Sequence, residues 1–279
     1  MSERLFVAAQ HVMPKLALTR LAGKAANLRA GARTTAAIRR FIARYGVNMA
    51  EAADPDPAAY ASFNDFFTRA LKPGARPLAQ ADWICPVDGA ISQFGPLEGE
   101  MLLQAKGHRY SATALVGGDL HLARQFHGGH FATLYLSPKD YHRIHMPAAG
   151  RLLRMIHVPG ALYSVNPATA RGVPGLFARN ERVVCHFEGA HGPFVMALVG
   201  ATIVGSMATV WHGIVNPPRS GQPREWSYQN VSLAQGDEMG RFLLGSTVVM
   251  LFPPGPMSFN PVWAPAGAIR MGEAMAHAA

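Results

Sequence analysis

The stretch that most constrains this chain is Arg241–Phe252, RFLLGSTVVMLF, near the C-terminus. Its alternating and β-branched composition predicts a single buried strand. Within it, Gly245 and Ser246 stand where a core strand normally carries bulk. A glycine lets the backbone distort and leaves its carbonyl open to approach. Two interpretations follow: a glycine bulge in a β-rich core, or an acyl transfer in which the Ser246 hydroxyl attacks the adjacent Gly245 carbonyl, with almost no entropy left to lose.

The charge of the chain is distributed unevenly. A formal net charge of +9 predicts an anionic partner, either nucleic acid or an acidic membrane surface. Residues 1–50 contain nine basic residues and one acidic residue, Glu3, so this segment alone carries +8. Charged residues make up 15% of the 279 residues and hydrophobic residues 49%, so we expect a globular core rather than a disordered chain.

The basic N-terminal segment is expected to be helical and amphipathic, with Thr34 capping a helix that runs to about Tyr45. Such helices lie in a membrane interface or pack on a domain with a solvated basic face, and the segment alone does not decide between them. No spanning helix is expected. The longest uncharged run, Gly192–Gly213, is interrupted by small residues and favours two strands and a turn.

The remaining chain divides into a short helical piece and a long β-rich part. Ser62 is expected to start a short helix that ends before Lys72-Pro73-Gly74. From Trp83 onward, short apolar runs punctuated by Gly and Pro predict strands, and Ser111–Phe126 is the one helical interruption. The sequence therefore predicts a helical, basic arm and lead-in over residues 1–75 and a β-rich domain over residues 76–279.

Two polar stretches interrupt these apolar surroundings. Cys85–Gly89 places the Asp88 carboxylate beside a glycine, and Tyr135–Pro147 contains His142 and His145. Asp88 has an alternative interpretation as a turn cap, and the histidines as ordinary core or surface residues. A His-x-x-His metal site lacks a clear third ligand nearby, so no metal is predicted.

Asp88, His145 and Ser246 together make up a set that suits nucleophile activation, in which the histidine takes the serine proton and the aspartate orients the histidine. The Gly-x-Ser-x-Gly elbow of α/β-hydrolases is absent around Ser246. A serine within a strand is poorly placed to attack an external ester, but it is well placed to attack its own backbone.

Motifs along nearly the whole chain resemble those of the bacterial membrane-associated phosphatidylserine decarboxylases, pyruvoyl enzymes made as self-cleaving proenzymes. The motifs, in chain order, are Phe63–Arg69, Pro86–Gly89, Gln104–Ser111, Tyr135–Pro147, Phe177–Arg182, Val199–Ser206, Glu238–Phe242 and Leu244–Thr247.

The resemblance implies a role for each candidate residue. Ser246 attacks the Gly245 carbonyl with His145 as the base and Asp88 orienting it, and β-elimination splits the chain between Gly245 and Ser246. The new N-terminus becomes a pyruvoyl group, so the cofactor is made from the protein itself. Its ketone takes the substrate amine and serves as an electron sink for loss of CO2. His142 is the candidate for assisting decarboxylation or protonation.

The resemblance also implies the fold and the partners. The expected fold is α+β, with membrane-docking N-terminal helices followed by a core of mainly antiparallel β-sheets. The expected partners are phosphatidylserine and an anionic membrane surface, not nucleic acid. The two cleavage products are expected to form a heterodimer, and such heterodimers are expected to pair.

The two cysteines, Cys85 and Cys185, lie far apart in the sequence and are expected to be reduced thiols. The protein is expected to bind peripherally to the cytoplasmic side of the cell membrane.

Three rival functions stay open from the sequence. A related pyruvoyl decarboxylase would act on another head group or on a soluble amino acid. A lipid esterase would use Asp88, His145 and Ser246 as an intermolecular triad and keep its chain intact. A membrane-binding module without catalysis would need none of these three residues.

Overall fold

The computed structural model describes residues 3–203, 206–216, 221–243 and 247–278. Its first third is helical and the rest is dominated by strands, as the sequence predicts. The helices are α1 (Glu3–Val12), α2 (Lys15–Ala26), α3 (Ala32–Tyr45), α4 (Phe63–Phe67), α5 (Ala112–Leu115), α6 (Leu120–Arg124), α7 (Pro167–Gly172) and α8 (Leu176–Arg179).

The strands pair only in antiparallel fashion within the named elements. They are β1 (Trp83–Ile84), β2 (Gly89–Pro96), β3 (Met101–Leu103), β4 (Arg109–Ser111), β5 (His130–Tyr135), β6 (Arg143–His145), β7 (Gly150–Val158), β8 (Arg182–Gly189), β9 (Gly192–Val199), β10 (Met207–Thr209), β11 (Gly213–Ile214), β12 (Arg224–Ser227), β13 (Ser232–Leu233), β14 (Glu238–Phe242), β15 (Thr247–Phe252), β16 (Met257–Phe259), β17 (Ala268–Ile269) and β18 (Ala274–Ala278).

A nine-stranded sheet forms the centre of the fold, in the order β12-β7-β8-β9-β15-β5-β2-β17, with β13 also paired to β7. A four-stranded sheet runs β11-β10-β14-β6, a three-stranded sheet β1-β18-β16, and β3 pairs with β4. Strand β15 is buried along its whole length between β9 and β5. The expectation of an α+β fold with mainly antiparallel sheets is confirmed.

The single strand expected over Arg241–Phe252 is wrong, because the structure has two strands there. Arg241 and Phe242 end β14, which pairs with β6 and β10. Thr247 begins β15, which pairs with β5 and β9 in the other sheet. The apolar alternation continues through both strands, so periodicity alone does not reveal that the chain passes from one sheet to another. Leu244, Gly245 and Ser246 lie outside the described residues.

Two local helix predictions also need correction. Thr34 does not cap α3, since the helix begins at Ala32 and the Thr34 hydroxyl accepts from the Ala30 N–H at 3.0 Å. The expected helix over residues 111–126 is two short helices. It breaks at Gly117 and Gly118, whose φ angles of +87° and +94° lie in the region that favours glycine. The cap at Ser62 is confirmed, with its hydroxyl 3.1 Å from the Asp65 N–H.

The N-terminal helices pack on the β-rich part through polar contacts. The buried Gln10 side chain accepts from the Ser164 N–H at 3.0 Å, and the Thr19 hydroxyl accepts from the Ile203 N–H at 3.0 Å. Helix α3 contributes the fully buried Ile38 and sets the Phe41 ring edge-on to Phe66. No helix in the described parts of the chain is long and apolar enough to cross a bilayer.

Candidate active site

Asp88 lies at the start of β2, where the backbone comes unusually close to β5. A Cβ atom on Gly89 would lie 2.2 Å from the carbonyl oxygen of Tyr135, so only glycine fits at this position. The tight approach brings the Asp88 carboxylate next to the end of β5. This explains why the sequence requires a glycine immediately after the aspartate.

The Asp88 carboxylate is held by an arginine that sequence reasoning missed. Arg76 Nε lies 2.9 Å from Asp88 Oδ1, and one Arg76 terminal nitrogen contacts Oδ2 and, at 2.7 Å, the Glu51 carboxylate. The Met271 N–H also donates to Asp88 Oδ1 at 2.9 Å. These partners lie 12 and 183 residues away in sequence, so no local motif announces them.

His145 lies on β6 with both ring nitrogens bound. Its Nδ1 is 2.7 Å from the carbonyl oxygen of Gly236, which can only accept, so Nδ1 carries the proton of the neutral ring. The Tyr141 hydroxyl therefore donates to Nε2, at 3.0 Å. Burial lowers the pKa of His145, while the Gly236 carbonyl, the charge of Glu238 and, more weakly, the charge of Asp88 partly oppose that shift. The arrangement yields a neutral imidazole with a basic Nε2.

Asp88 and His145 do not form a direct hydrogen bond; the His145 N–H donates to the Pro86 carbonyl at 2.9 Å, two residues before Asp88. The orienting bond to Nδ1 comes from the Gly236 carbonyl, and the Asp88 oxygens are occupied by Arg76 and the Met271 N–H. The charge of Asp88 raises the pKa of the His145 ring through space, although less than the charge of Glu238 does. The predicted function of Asp88 as the group that orients His145 therefore stays a prediction, and in this state it would operate through charge.

His142 is fully buried and chemically distinct from His145. Its Nδ1 donates to the Asp140 carbonyl at 2.7 Å, and its ring packs on Phe67 with 4.0 Å between centroids. Burial lowers the pKa of His142 to about 3, so the ring is neutral at physiological pH. Its Nε2 has no hydrogen-bond partner among the described residues. In this state His142 can accept a proton but has none to give from Nε2.

Both strands that flank the predicted cleavage step are described, although Gly245 and Ser246 are not. Upstream, the Phe242 N–H donates to the His142 carbonyl at 3.1 Å, and β14 pairs with β6, which carries His145. Downstream, Thr247 pairs with Tyr135 at the end of β5. The two ends of the undescribed step are thus anchored on the strands next to the candidate residues.

A cavity of about 380 Å³ opens beside Asp88. Its wall is mixed in charge: Arg69, Arg76, Lys139 and Arg270 supply four cations, and Glu51, Asp88 and Asp140 supply three carboxyl groups. Tyr135 and Tyr141 also line it, so the cavity reaches the partner of Thr247 and the hydrogen-bond partner of His145. Across the residues described, no group of three metal-ligating side chains is found.

Comparison with known proteins identifies the family of this chain. The family model described as phosphatidylserine decarboxylase matches residues 63–277, and a second model, described as PSD, matches residues 5–46. Phosphatidylserine decarboxylase proenzymes of Delftia acidovorans and Variovorax paradoxus are 71% and 70% identical; the alignments cover 99% and 100% of this chain and 98% and 99% of those relatives. That of Azoarcus sp. is 71% identical over 99% of this chain and 96% of the relative. The chain belongs to the phosphatidylserine decarboxylase family.

Proposed function

We propose that this chain decarboxylates phosphatidylserine to phosphatidylethanolamine through a pyruvoyl group that it makes from its own Ser246. Membership of the decarboxylase family supports the overall reaction. The observation that carries the proposal for self-processing is the neutral His145 on β6, the neighbour of the strand that leads into the Gly245-Ser246 step.

The proposed cleavage step moves a proton between residues that the structure describes. His145 Nε2 takes the Ser246 hydroxyl proton, and the Gly236 carbonyl holds the Nδ1–H of the resulting imidazolium. The charge of Asp88 stabilises that cation. In this structure the Tyr141 hydroxyl donates to His145 Nε2. For cleavage, Tyr141 either moves away so that Nε2 can accept from Ser246, or relays the Ser246 proton to Nε2 through its own hydroxyl. Attack on the Gly245 carbonyl breaks the Gly245–Ser246 peptide bond, whose nitrogen takes the proton from His145, and leaves an ester. Elimination frees the Gly245 carboxylate and a dehydroalanine, which water hydrolyses to ammonia and a ketone at the new N-terminus.

The residues fit a reactive group at position 246. Covalent geometry keeps the Cα of residue 246 about 3.8 Å from that of Thr247. Thr247 itself is buried and fixed by pairing with both Tyr135 and Val199. A pyruvoyl ketone supplies the electron sink for loss of CO2 from the amine-bearing carbon of the substrate. Thr247 begins β15 and pairs with Tyr135, which lines the Asp88 cavity.

His142 is proposed to serve the substrate step rather than cleavage. The reaction consumes one proton at the carbon that loses CO2. Because the His142 ring is neutral with an open Nε2, it can take a proton from solvent and pass it to that carbon after CO2 has left. Its packing against Phe67 fixes the plane of the ring.

The cleavage products are proposed to stay together as a heterodimer. The smaller product would contain β15, which forms the middle of the nine-stranded sheet, and β18, which lies between β1 and β16. Separating them would expose strand edges and a fully buried strand. The family resemblance also favours pairing of such heterodimers. From the helical and β-rich patterns of the sequence, we also propose an arm over residues 1–75 and a decarboxylase domain over residues 76–279.

The arm is proposed to bind the cytoplasmic face of the cell membrane peripherally. Helices α1 and α2 and the loop after them leave large apolar side chains exposed: Leu5, Val12, Leu16, Leu18, Leu21 and Leu28. Exposed cations, including Arg20, Lys24 and Arg29, share this part of the arm. Apolar side chains beside cations are what an anionic bilayer surface attracts.

The test is release of labelled CO2 from carboxyl-labelled phosphatidylserine in detergent micelles by the purified chain, compared with its Ser246→Ala variant. We expect turnover by the chain and none by the variant. Equal release from free serine would instead favour a decarboxylase of a soluble amino acid, and release of fatty acid by an intact chain would favour an esterase.

A further inference from the structure

Arg69 is a buried cation with unused hydrogen-bond donors at the cavity wall. Only 4% of the residue is exposed. One terminal nitrogen donates to the Lys139 carbonyl at 3.2 Å, while Nε and the other terminal nitrogen are buried without a partner in the described chain. An unsatisfied buried guanidinium is costly, so these donors point to a ligand that fills the cavity.

The carboxylates of Asp88 and Asp140 act on Arg69 only through space, and its guanidinium lies 5.4 Å from the centroid of the Phe66 ring. Arg76 occupies the carboxylates of Glu51 and Asp88. The Asp140 carboxylate accepts from the Ser137 N–H and hydroxyl. No ion pair of Arg69 with a carboxylate occurs among the residues the structure describes. The cavity therefore offers a buried positive charge with free donors to an anion.

Arg69 also stands at a boundary between polar and apolar spaces. A second cavity, of about 500 Å³, is lined by small and aromatic side chains from α2, α3 and α4. The two cavities are adjacent along three chain segments. In each segment, one residue lines the apolar cavity and a residue one or two positions later lines the Asp88 cavity. These pairs are Tyr45 and Gly46, Phe67 and Arg69, and Pro138 and Lys139.

We infer that Arg69 binds the phosphodiester of the lipid substrate at this boundary, an inference that rests on the proposed function. In phosphatidylserine the phosphodiester lies between the acyl chains and the serine head group, which matches an apolar cavity on one side and the Asp88 cavity on the other. Guanidinium donors suit the oxygens of a phosphate, which they can bind in pairs.

The chemistry of the reaction selects the phosphodiester over the carboxylate. The substrate carboxylate loses its charge as CO2 leaves, so a cation bound to it would stabilise the ground state more than the transition state and slow the reaction. The phosphodiester keeps its charge throughout. Arg69 would therefore provide binding that is equal in both states, and its loss should raise KM with little change in kcat.

The first test measures binding without turnover. Ligand-detected phosphorus NMR would follow glycerophosphoethanolamine, a head group without tails, added to the cleaved protein. We expect binding to the unaltered chain, about 10- to 100-fold weaker binding to Arg69→Gln and an intermediate loss in Arg69→Lys. Inorganic phosphate, run in parallel, should bind more weakly than the diester. Absence of diester binding to the unaltered chain, or equally tight binding of free phosphate, overturns the inference.

The second test measures kinetics on phosphatidylserine, with cleavage checked on a gel. Arg69→Gln should cleave itself and show a KM raised about 10- to 100-fold at similar kcat. Arg151→Gln, an equal charge change at an exposed residue of β7 outside the cavity, should behave as the unaltered chain. A fall in kcat at unchanged KM would overturn the inference. If Arg69→Gln fails to fold, Arg69→Lys decides by the same split. Failure of the unaltered chain to turn over would instead reject the proposed function.

Discussion

Arg76 clamps the carboxylate of Asp88, with Nε 2.9 Å from Oδ1 and a second contact to Oδ2. Both groups are nearly removed from solvent, with side-chain exposures of 6% and 11%. The clamp fixes the aspartate beside the cavity and leaves its oxygens unavailable to His145. In this state the aspartate acts on the histidine only through its charge.

Removing Arg76 should destabilise the fold, and it should slow self-cleavage because the Asp88 carboxylate is no longer fixed in position. Arg76→Ala leaves the buried Asp88 carboxylate without its cation, which typically costs about 3 kcal/mol and corresponds to a loss of roughly 5–10 °C in Tm. Arg109→Ala is the matched control, because its ion pair with Glu98 is exposed and should change Tm by only about 1–2 °C. Differential scanning fluorimetry and a gel for cleavage test the pair. Equal Tm values for both variants would contradict the structural role of the clamp.

Self-cleavage should depend on pH through His145. Because burial lowers its pKa below the ordinary 6.5, the base is neutral above about pH 6.5, and the cleavage rate should be flat there. As pH falls through the lowered pKa the base becomes protonated, and the rate should fall about tenfold per pH unit. The measurement is a time course of refolded proenzyme on gels between about pH 5 and pH 8.

The controls for this profile are His145→Ala and Asp88→Asn. His145→Ala should remain full-length at every pH, whereas Asp88→Asn, which removes only the charge, should cleave slowly. A rate that rises on acidification, or a His145→Ala protein that cleaves normally, would rule out His145 as the base.

His142 should separate cleavage from catalysis. His142→Ala should still cleave, since the base proposed for that step is His145, but should decarboxylate about 10²- to 10⁴-fold more slowly. His142→Gln is a useful companion, because it preserves a polar side chain against Phe67 but cannot shuttle a proton. A gel and a CO2-release assay on the same preparations test this division. An uncleaved His142→Ala protein, or a cleaved one with normal activity, would contradict it.

The sequence predicts some helix boundaries correctly and misses others. The end of α3 at Tyr45 and the cap at Ser62 follow from local signals, and the structure confirms both. The break between α5 and α6 was missed because helical periodicity runs on across Gly117 and Gly118, where the backbone turns.

The candidate site was only partly predictable for a related reason. Asp88, His142 and His145 stand out as polar residues in bent, apolar stretches. Arg76 and the Gly236 carbonyl do not, because they act through contacts that only the folded chain creates; Gly236 meets His145 from 91 residues away. An arginine or a backbone carbonyl in a loop carries no sequence signal of that kind.

Membrane binding should depend on the exposed cations of the arm. A triple charge reversal should weaken binding to anionic liposomes by at least roughly 100-fold, since each cation near such a surface contributes about 1 kcal/mol. Self-cleavage should be unaffected. The reversed residues are Arg20, Lys24 and Arg29. The control reverses three exposed arginines outside the arm, Arg109, Arg124 and Arg151. Liposome sedimentation tests both proteins, and equal losses would show that net charge rather than the arm governs binding.

In the proposed reaction, this chain cuts itself before Ser246 and turns that serine into a ketone. Intact mass under denaturing conditions tests it directly. We predict two chains, Met1–Gly245 and Ser246–Ala279, with the smaller lighter than a simple hydrolysis product by one ammonia molecule. Under native conditions the two should elute together, because β15 and β18 are built into sheets of the larger chain. A single full-length mass from an active preparation, or a small chain with its amino terminus intact, would contradict the account.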